Sequence, residues 1–373
     1  MTAHITHLWR LLTWGRTLAR HGALRGIEMD RNTPPPVRRL ARLARFGARV
    51  PKEPRYAEAF QAIGPAAIKL GQSLATRPDL VGEDAARDLL SLQDALPPVP
   101  FSAIRAEIES SFGRPLEAIY ASVDEQAVGA ASIAQVHRAV TTDGRAVAIK
   151  VLRPGIRERF NRDIDTYEWA AAHLEQLGGE ASRLRPRLVV ANLKRWTARE
   201  LDLRREAASA SELAEAMAAV PRYRIPEIDW DRTNGRVMTL EWIDGIKISD
   251  RAALIAAGHD LTDLAARLVN TFLRQAIADG FFHADMHQGN LFVQADGTIV
   301  AIDFGIMGRI DRRARLWLAE ILYGLTTGNY RRVAEIHFEA QYVPSYHSVD
   351  EFATALRAVG EPMRGKPVSE LSV

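Results

Sequence analysis

The chain of 373 residues contains no cysteine. Disulfides, thiolate metal sites and cysteine nucleophiles are therefore excluded. Lysine is scarce, with 6 Lys against 43 Arg. A lysine at a chemically telling position is thus more informative than usual, and Lys69 and Lys150 are two of the six. No window of 18 apolar residues occurs, so no segment reads as a membrane-spanning helix. No signal-peptide pattern opens the chain, because Trp9, Arg10 and Arg16 interrupt the apolar run. The remaining composition is ordinary for a globular protein, with 47% hydrophobic and 25% charged residues. The length supports one large or two modest lobes, each with its own core.

Charge is unevenly spread. Residues 1–55 carry 12 Lys/Arg and 3 Asp/Glu, a net of +9, whereas the whole chain is +3, which leaves −6 for the rest. A basic end on an acidic body predicts an anionic surface as partner, either lipid or nucleic acid, or else a solvated basic face. Ile5, Leu8, Trp9, Leu12, Leu11 and Leu18, interleaved with Arg10, Arg16 and Arg20, read as a short basic amphipathic helix. Such a helix, with Trp9 and Trp14, either lies on a membrane surface or packs on the body of the protein. Pro34-Pro35-Pro36 then reads as a linker.

Residues 38–119 read as mostly helical. Ser132–Val140 and Arg145–Val151 alternate around a Thr141–Gly144 turn and predict a hairpin. Helices follow over 155–217, with one long helix from about Leu188 to Met217. A second strand pair is expected around 225–230 and 236–241, helices over 250–282, and another hairpin across Ala295-Asp296-Gly297. The order is a helical arm, a small strand-rich lobe and a larger helical lobe. The implied divisions are 1–36, 37–119, 120–243 and 244–373.

In Val147-Ala148-Ile149-Lys150-Val151, Ala148 and Lys150 share one face of a strand. A small residue leaves room for a flat base, and the lysine reaches phosphate oxygens. The alternative is an exposed lysine on an edge strand. Gly129-Ala130-Ala131-Ser132 is a run of small residues at a strand start, where backbone can approach a bulky ligand or simply pack tightly. The stretch His283-Ala284-Asp285-Met286-His287-Gln288-Gly289-Asn290 is far more specific. It has the H-x-D-x-x-x-x-N arrangement of a kinase catalytic loop, in which Asp285 handles the attacking group and Asn290 a metal. Asp303-Phe304-Gly305 follows 18 residues after Asp285 and supplies a second hard oxygen ligand for Mg²⁺. Glu206 is the expected carboxylate partner of Lys150; Asp202, four residues before it, shares its helix face, and Glu200 is turned away. The segment Met238–Gly245 reads as a hinge, with backbone groups near Glu241 and Ile243 binding adenine.

These residues resemble the UbiB/ADCK family of atypical kinase-like ATPases, associated with coenzyme Q (ubiquinone) biosynthesis. The resemblance runs from about residue 56 onward. It includes features that ordinary protein kinases lack: Lys69-Leu70-Gly71-Gln72 matches the K-x-G-Q signature, Gly129–Ser132 sits at the alanine-rich loop, and Glu200 and Asp202 match E-x-D. The resemblance implies an α+β, bilobal protein-kinase-like fold with an N-terminal helical arm covering the active site. It also implies ATP and Mg²⁺ as cofactors. Lys69 and Gln72 then face the nucleotide as regulatory residues, with Glu200 and Asp202 near them. Implied partners are an anionic membrane surface and ubiquinone-biosynthesis proteins or prenylated phenol intermediates, with no nucleic acid expected. The implied location is the cytoplasmic side of a bacterial inner membrane.

The sequence departs from the family pattern at Gly129, where the first loop alanine is expected, and at Met286 and Gln288, where prolines are usual. Members usually continue past the position of Val373, often into membrane helices, so a longer native chain is expected. After Gly305 only Ile306–Ile310 precede a helical pattern, which leaves no long activation segment and no A-P-E element. A peptide-binding platform is therefore largely missing. The leading expectation is an ATPase supporting ubiquinone biosynthesis. The alternatives are a kinase for a small molecule or lipid, and a non-catalytic nucleotide-binding scaffold.

Overall fold

The structure, a computed structural model, describes residues 2–24, 35–92, 97–176 and 185–365. It divides into two units, one of residues 1–207 and 227–242 and the other of residues 208–226 and 243–373. The first unit opens with α1 (Thr2–Arg20), α2 (Pro35–Arg45), α3 (Tyr56–Ile63), α4 (Pro65–Ala75), α5 (Pro78–Val81), α6 (Glu83–Leu89) and α7 (Phe101–Phe112). Of the expected linker, Pro34 lies outside the described residues, and Pro35-Pro36 opens α2 instead. Proline is tolerated there because first-turn N–H groups have no helical acceptor anyway.

The strands β1 (Tyr120–Val123), β2 (Gly129–Ala130), β3 (Ala134–Thr141) and β4 (Ala146–Leu152) come next, followed by α8 (Ile156–Gln176), α9 (Pro186–Glu200) and α10 (Leu203–Met217). β5 (Tyr223–Arg224) belongs to the second unit, and β6 (Val237–Glu241) returns to the first. The first unit's sheet has the order β1-β3-β4-β6, with β2 beside β3, and every pair is antiparallel. Val147, Ile149 and Val151 of β4 are buried with Ile104 and Ile108 of α7. Each such side chain contributes about 1.5–3 kcal/mol on burial. The same alternation puts Ala148 and Lys150 on the other face.

Two sequence expectations change here. Of the strand pair expected at 225–230 and 236–241, only β6 forms; Ile228 touches Leu240 through an isolated bridge. Pro226 lacks the N–H that a ladder needs. The single helix expected from Leu188 to Met217 is two helices, α9 and α10, broken at Leu201-Asp202.

The second unit holds β7 (Ile246–Lys247), α11 (Arg251–Ala256), α12 (Leu261–Leu273), β8 (Phe281–His283), β9 (Leu291–Val293), β10 (Ile299–Ala301), β11 (Met307–Arg309), α13 (Arg312–Thr327), α14 (Tyr330–Glu339) and α15 (Val349–Gly360). One sheet runs β5-β10-β9-β7, and β8 pairs with β11. The helical stretch expected to reach residue 282 ends early. A π-turn over Arg274–Asp279 stops at Gly280, and β8 begins. Gly280 has φ 73°, and a Cβ there would lie 2.7 Å from the Ile310 carbonyl oxygen, so only glycine fits.

α3, α4 and α6 close around Ile68, Leu89 and Leu92. Gly71 of α4 sits against this cluster, and an added Cβ would meet Leu92 Cδ1 at 2.5 Å and Phe60 Cδ1 at 2.8 Å. The glycine of Lys69-Leu70-Gly71-Gln72 therefore permits close helix packing. At Gly129, by contrast, nothing lies within 4 Å of an added Cβ. Gly71→Ala should lower stability by about 1–3 kcal/mol through overpacking, while Gly129→Ala should be nearly neutral. Urea denaturation of both variants checks this; equal stability for the two would contradict the packing role.

Candidate active site

Lys150 lies at the centre of the first unit's sheet, paired in register with Val136 of β3 and Met238 of β6. It is therefore not on an edge strand. Its Nζ donates to Glu206 Oε1 at 2.6 Å. The side chains are only 15% and 8% exposed. Removing both from water is costly, so the pair persists only with close geometry. Ala148 lies on the same strand face, half-buried.

The break between α9 and α10 separates the carboxylates. The Asp202 side chain accepts from the Arg204 backbone N–H at 3.3 Å, which starts α10. Arg157 of α8 donates to the Leu201 carbonyl at 2.7 Å, at the end of α9. Glu200 thereby pairs with Lys69, Nζ to Oε2 at 3.0 Å, while Glu206 pairs with Lys150. Gln72 donates to the Leu92 carbonyl at 3.3 Å. Asp202 instead forms a two-pronged ion pair with Arg204, at 2.9 and 2.8 Å. That guanidinium holds the Asp202 carboxyl below the usual carboxylate range. The structure thus joins one K-x-G-Q residue to one E-x-D residue, and gives Asp202 a capping role.

Gly129 and Ala130 form β2, facing Val136 and Gln135 of β3. The Ala131 N–H donates to the Ala134 carbonyl at 2.8 Å, closing a tight turn, and Ser132 is fully buried. In the segment read as a hinge, two amides are already committed. The Glu241 N–H donates to the Glu227 carbonyl at 2.9 Å, and the Trp242 N–H to the Ala146 carbonyl at 3.1 Å. The Glu241 N–H is therefore not the group that meets an adenine. Ile243 falls on the second unit's side of the division.

In the second unit, His283 is buried at the end of β8, and its Nδ1 accepts from the Asp285 N–H at 3.2 Å. Burial pushes the His283 imidazole down, against the pull of the Asp303 backbone and nearby carboxylates. A neutral ring is what this acceptor role requires. The ring packs on Phe304, centroids 5.8 Å apart. The Asn290 Nδ2 donates to the Asp285 carbonyl at 3.4 Å, which turns Asn290 Oδ1 the other way. The Ile302 N–H donates to the Asn290 carbonyl at 3.0 Å, bringing Asn290 beside the Ile302-Asp303 step. Asp303 Oδ1 accepts from the Gly305 N–H at 3.0 Å. After Gly305 only β11 precedes Asp311, whose side chain caps α13 at 2.8 Å. Among the described residues no group of three or more His, Asp or Glu is assembled to hold a metal. Asn290 and Asp303 fit Mg²⁺, which takes one or two side chains and completes its shell with phosphates and water.

Two residues escaped the sequence reading. Gln275, fully buried in the π-turn, accepts from the His283 N–H at 3.1 Å and donates to the Tyr223 hydroxyl at 3.4 Å. Burial pushes that hydroxyl up to about 12. Arg153, three residues after Lys150, donates to the Ala131 carbonyl at 2.9 Å. Neither sits in a motif, and only a π-turn or a long-range contact would reveal them. An open concavity of about 520 Å³ lies elsewhere, among Lys52, Arg55, Glu58 and Asp88. It contains none of the motif residues.

Residues 91–337 match the ABC1 atypical kinase-like domain. Relatives described as "Probable protein kinase UbiB" include one from Marinobacter nauticus, 41% identical over 318 residues, and one from Xylella fastidiosa, 38% identical over 321. Each match takes in 84% of this chain and 58% of the relative, so the chain spans little more than half the length of these proteins. A solved Mycobacterium tuberculosis structure, the complex of Rv3197 with erythromycin, is 28% identical with a TM-score of 0.55, covering 80% of this chain and 76% of that one. The fold is kinase-like and α+β, and the chain belongs to the ABC1 (UbiB/ADCK) family of atypical kinase-like proteins.

Proposed function

We propose that the chain binds and hydrolyses Mg²⁺–ATP in support of ubiquinone biosynthesis at an anionic membrane surface. The observation that carries the nucleotide reading is the Lys150–Glu206 pair at 2.6 Å on a central strand, in a chain that also keeps Asp285, Asn290 and Asp303. The pathway part rests on the family resemblance and on the UbiB name of the relatives.

Asn290 and Asp303 would hold Mg²⁺, which would neutralise phosphate charge. Lys150, aimed by Glu206, holds phosphate oxygens. Asn290 and Asp303 offer side-chain oxygens to the metal. Asp285 orients the attacking water or hydroxyl and accepts its proton. Neutral His283 fixes the Asp285 backbone. The short connection from Gly305 to α13 gives a peptide little to dock on, which favours water or a small molecule as acceptor. Lys69, paired with Glu200, acts as a restraint on this chemistry, with Gln72 beside it. Asp303→Asn should weaken Mg²⁺-dependent ATP binding by at least about tenfold, a loss of about 1.4 kcal/mol. Calorimetry showing equal Mg²⁺–ATP affinity in the variant would refute the metal assignment.

The membrane part rests on how α1 is turned. Its polar face meets α8: Arg10 forms an ion pair with Asp163, His7 Nδ1 lies 3.1 Å from Thr166 Oγ1, and Trp169 Nε1 donates to His4 Nδ1 at 2.8 Å. Burial pushes the Asp163 carboxyl up, and the Arg10 guanidinium opposes this. Trp14 packs on Tyr167, ring centroids 5.1 Å apart. The apolar residues Ile5, Leu8, Trp9 and Leu12 are left outside, with Trp9 67% exposed. α2 adds Leu40 and Leu43, and Phe46 just beyond it is 82% exposed. An apolar face turned outward within a +9 segment fits an anionic bilayer. The full chain should bind anionic vesicles over neutral ones, less well in high salt. Trp9→Asp should weaken this binding about tenfold, in line with the burial of one large apolar side chain. Vesicle sedimentation that is salt-independent and unaffected by Trp9→Asp would return this face to another role.

A further inference from the structure

Two buried polar side chains tie the backbone just before α7 to the small-residue loop of the first unit. Arg153 is 9% exposed. Its Nε donates to the Ala131 carbonyl at 2.9 Å, and its Nη1 to the Pro97 carbonyl at 2.9 Å. Its own backbone N–H donates to the Ile133 carbonyl at 2.8 Å. One residue therefore holds the loop at Ala131 with its side chain and just past it at Ile133 with its main chain. The second side chain is Gln135, 1% exposed and next to the loop on β3. Its Oε1 accepts from the Val99 N–H at 2.6 Å, and its Nε2 donates to the Val99 carbonyl at 3.3 Å. Residues 97–99 are thus held by the side chains of Arg153 and Gln135.

We infer that Arg153 is a positioning residue for the nucleotide: it fixes the Gly129–Ser132 loop by clamping the Ala131 carbonyl to the Pro97 carbonyl. The inference rests on the nucleotide reading above. The geometry explains why arginine serves here. A planar fork with several donors can span two carbonyls at once, and a charged donor bonds each more strongly than a neutral one. A lysine ammonium offers a point charge with no fixed fork. The loop's own backbone ties are short: β2 is two residues long, the Ala131 N–H closes onto the Ala134 carbonyl, and Gly129 sits in open space. Pro97 follows the helical extension that carries Lys69 and Gln72, so the clamp also links the position of that extension's exit to the position of the loop.

A merely structural arginine would lower stability and do nothing else when replaced. The test uses Arg153→Lys and Arg153→Gln in the full chain, with thermal stability, Mg²⁺–ATP affinity by calorimetry, and hydrogen exchange of the Ala131 amide without ligand. That amide is the reporter because it closes the turn onto Ala134. Folded variants should bind Mg²⁺–ATP about tenfold more weakly, and the Ala131 amide should exchange at least about tenfold faster. Native affinity with native exchange in a folded variant overturns the inference. Faster exchange with native affinity also overturns it, because the loop's position would then not matter to the nucleotide. Failure of both variants to fold overturns it too, since Arg153 would then be a support for the whole unit. If the unsubstituted chain binds no Mg²⁺–ATP, the proposed function fails first, and unchanged or faster Ala131 exchange still decides whether the clamp exists.

Discussion

The ion pair between Lys150 and Glu206 is the constraint on which the first unit's arrangement depends. Two charges taken this far out of water are stabilising only if each is held close to the other, and leaving either alone is costly. Burying Lys150 on a central strand thus obliges α10 to bring Glu206 within 2.6 Å. α10 in turn cannot continue the line of α9, because Glu200 serves a different lysine, Lys69. The chain reconciles the two demands by stopping one helix at Glu200 and restarting at Leu203. Asp202 caps the new helix, and Arg157 takes up a carbonyl at the end of the old one. Two lysines, among the six in the whole chain, are so assigned to two carboxylates six residues apart in sequence.

The second unit carries the proposed metal ligands Asn290 and Asp303, together with Asp285, and positions them without a cage of protein ligands among the described residues. It does this with backbone. Asp285 is held through its N–H to His283, Asn290 through its carbonyl to Ile302, and Asp303 through the Gly305 amide. A buried, neutral histidine and a glutamine in a π-turn complete the support. Asp285 and Asn290 are held in this way through backbone groups alone, whereas Asp303 commits its Oδ1 to the Gly305 amide.

The motifs of the candidate site were legible in the sequence because each is contiguous: H-x-D-x-x-x-x-N, D-F-G and K-x-G-Q each fall within a few positions. β3, β4 and the hairpin of β9 and β10 were legible too, since alternation and Gly turns are local signals. The break at Leu201-Asp202 was hidden because apolar periodicity runs smoothly through it, and only the cap at Asp202 marks it. β5 is two residues long and pairs in parallel with a strand some 75 residues later, which no local pattern encodes. The orientation of α1 was hidden for another reason. Periodicity identifies an apolar face but not what covers it, and here α8 takes the polar face through His4, His7 and Arg10. Trp9 and Trp14 look equivalent in sequence, yet only Trp9 faces outward while Trp14 packs on Tyr167.

The central claim is that Lys150 serves phosphate and that Glu206 exists to aim it. Replacing both residues together by apolar ones of similar size, as in Lys150→Met with Glu206→Leu, removes the pair without leaving a lone buried charge, and such replacements are often neutral or stabilising. The decisive measurement is calorimetric titration of this double variant with ATP and with adenosine, both in Mg²⁺. The account predicts a chain of near-native stability that retains adenosine affinity and loses ATP affinity by about tenfold or more. A folded double variant that binds ATP as tightly as the unsubstituted chain would contradict it.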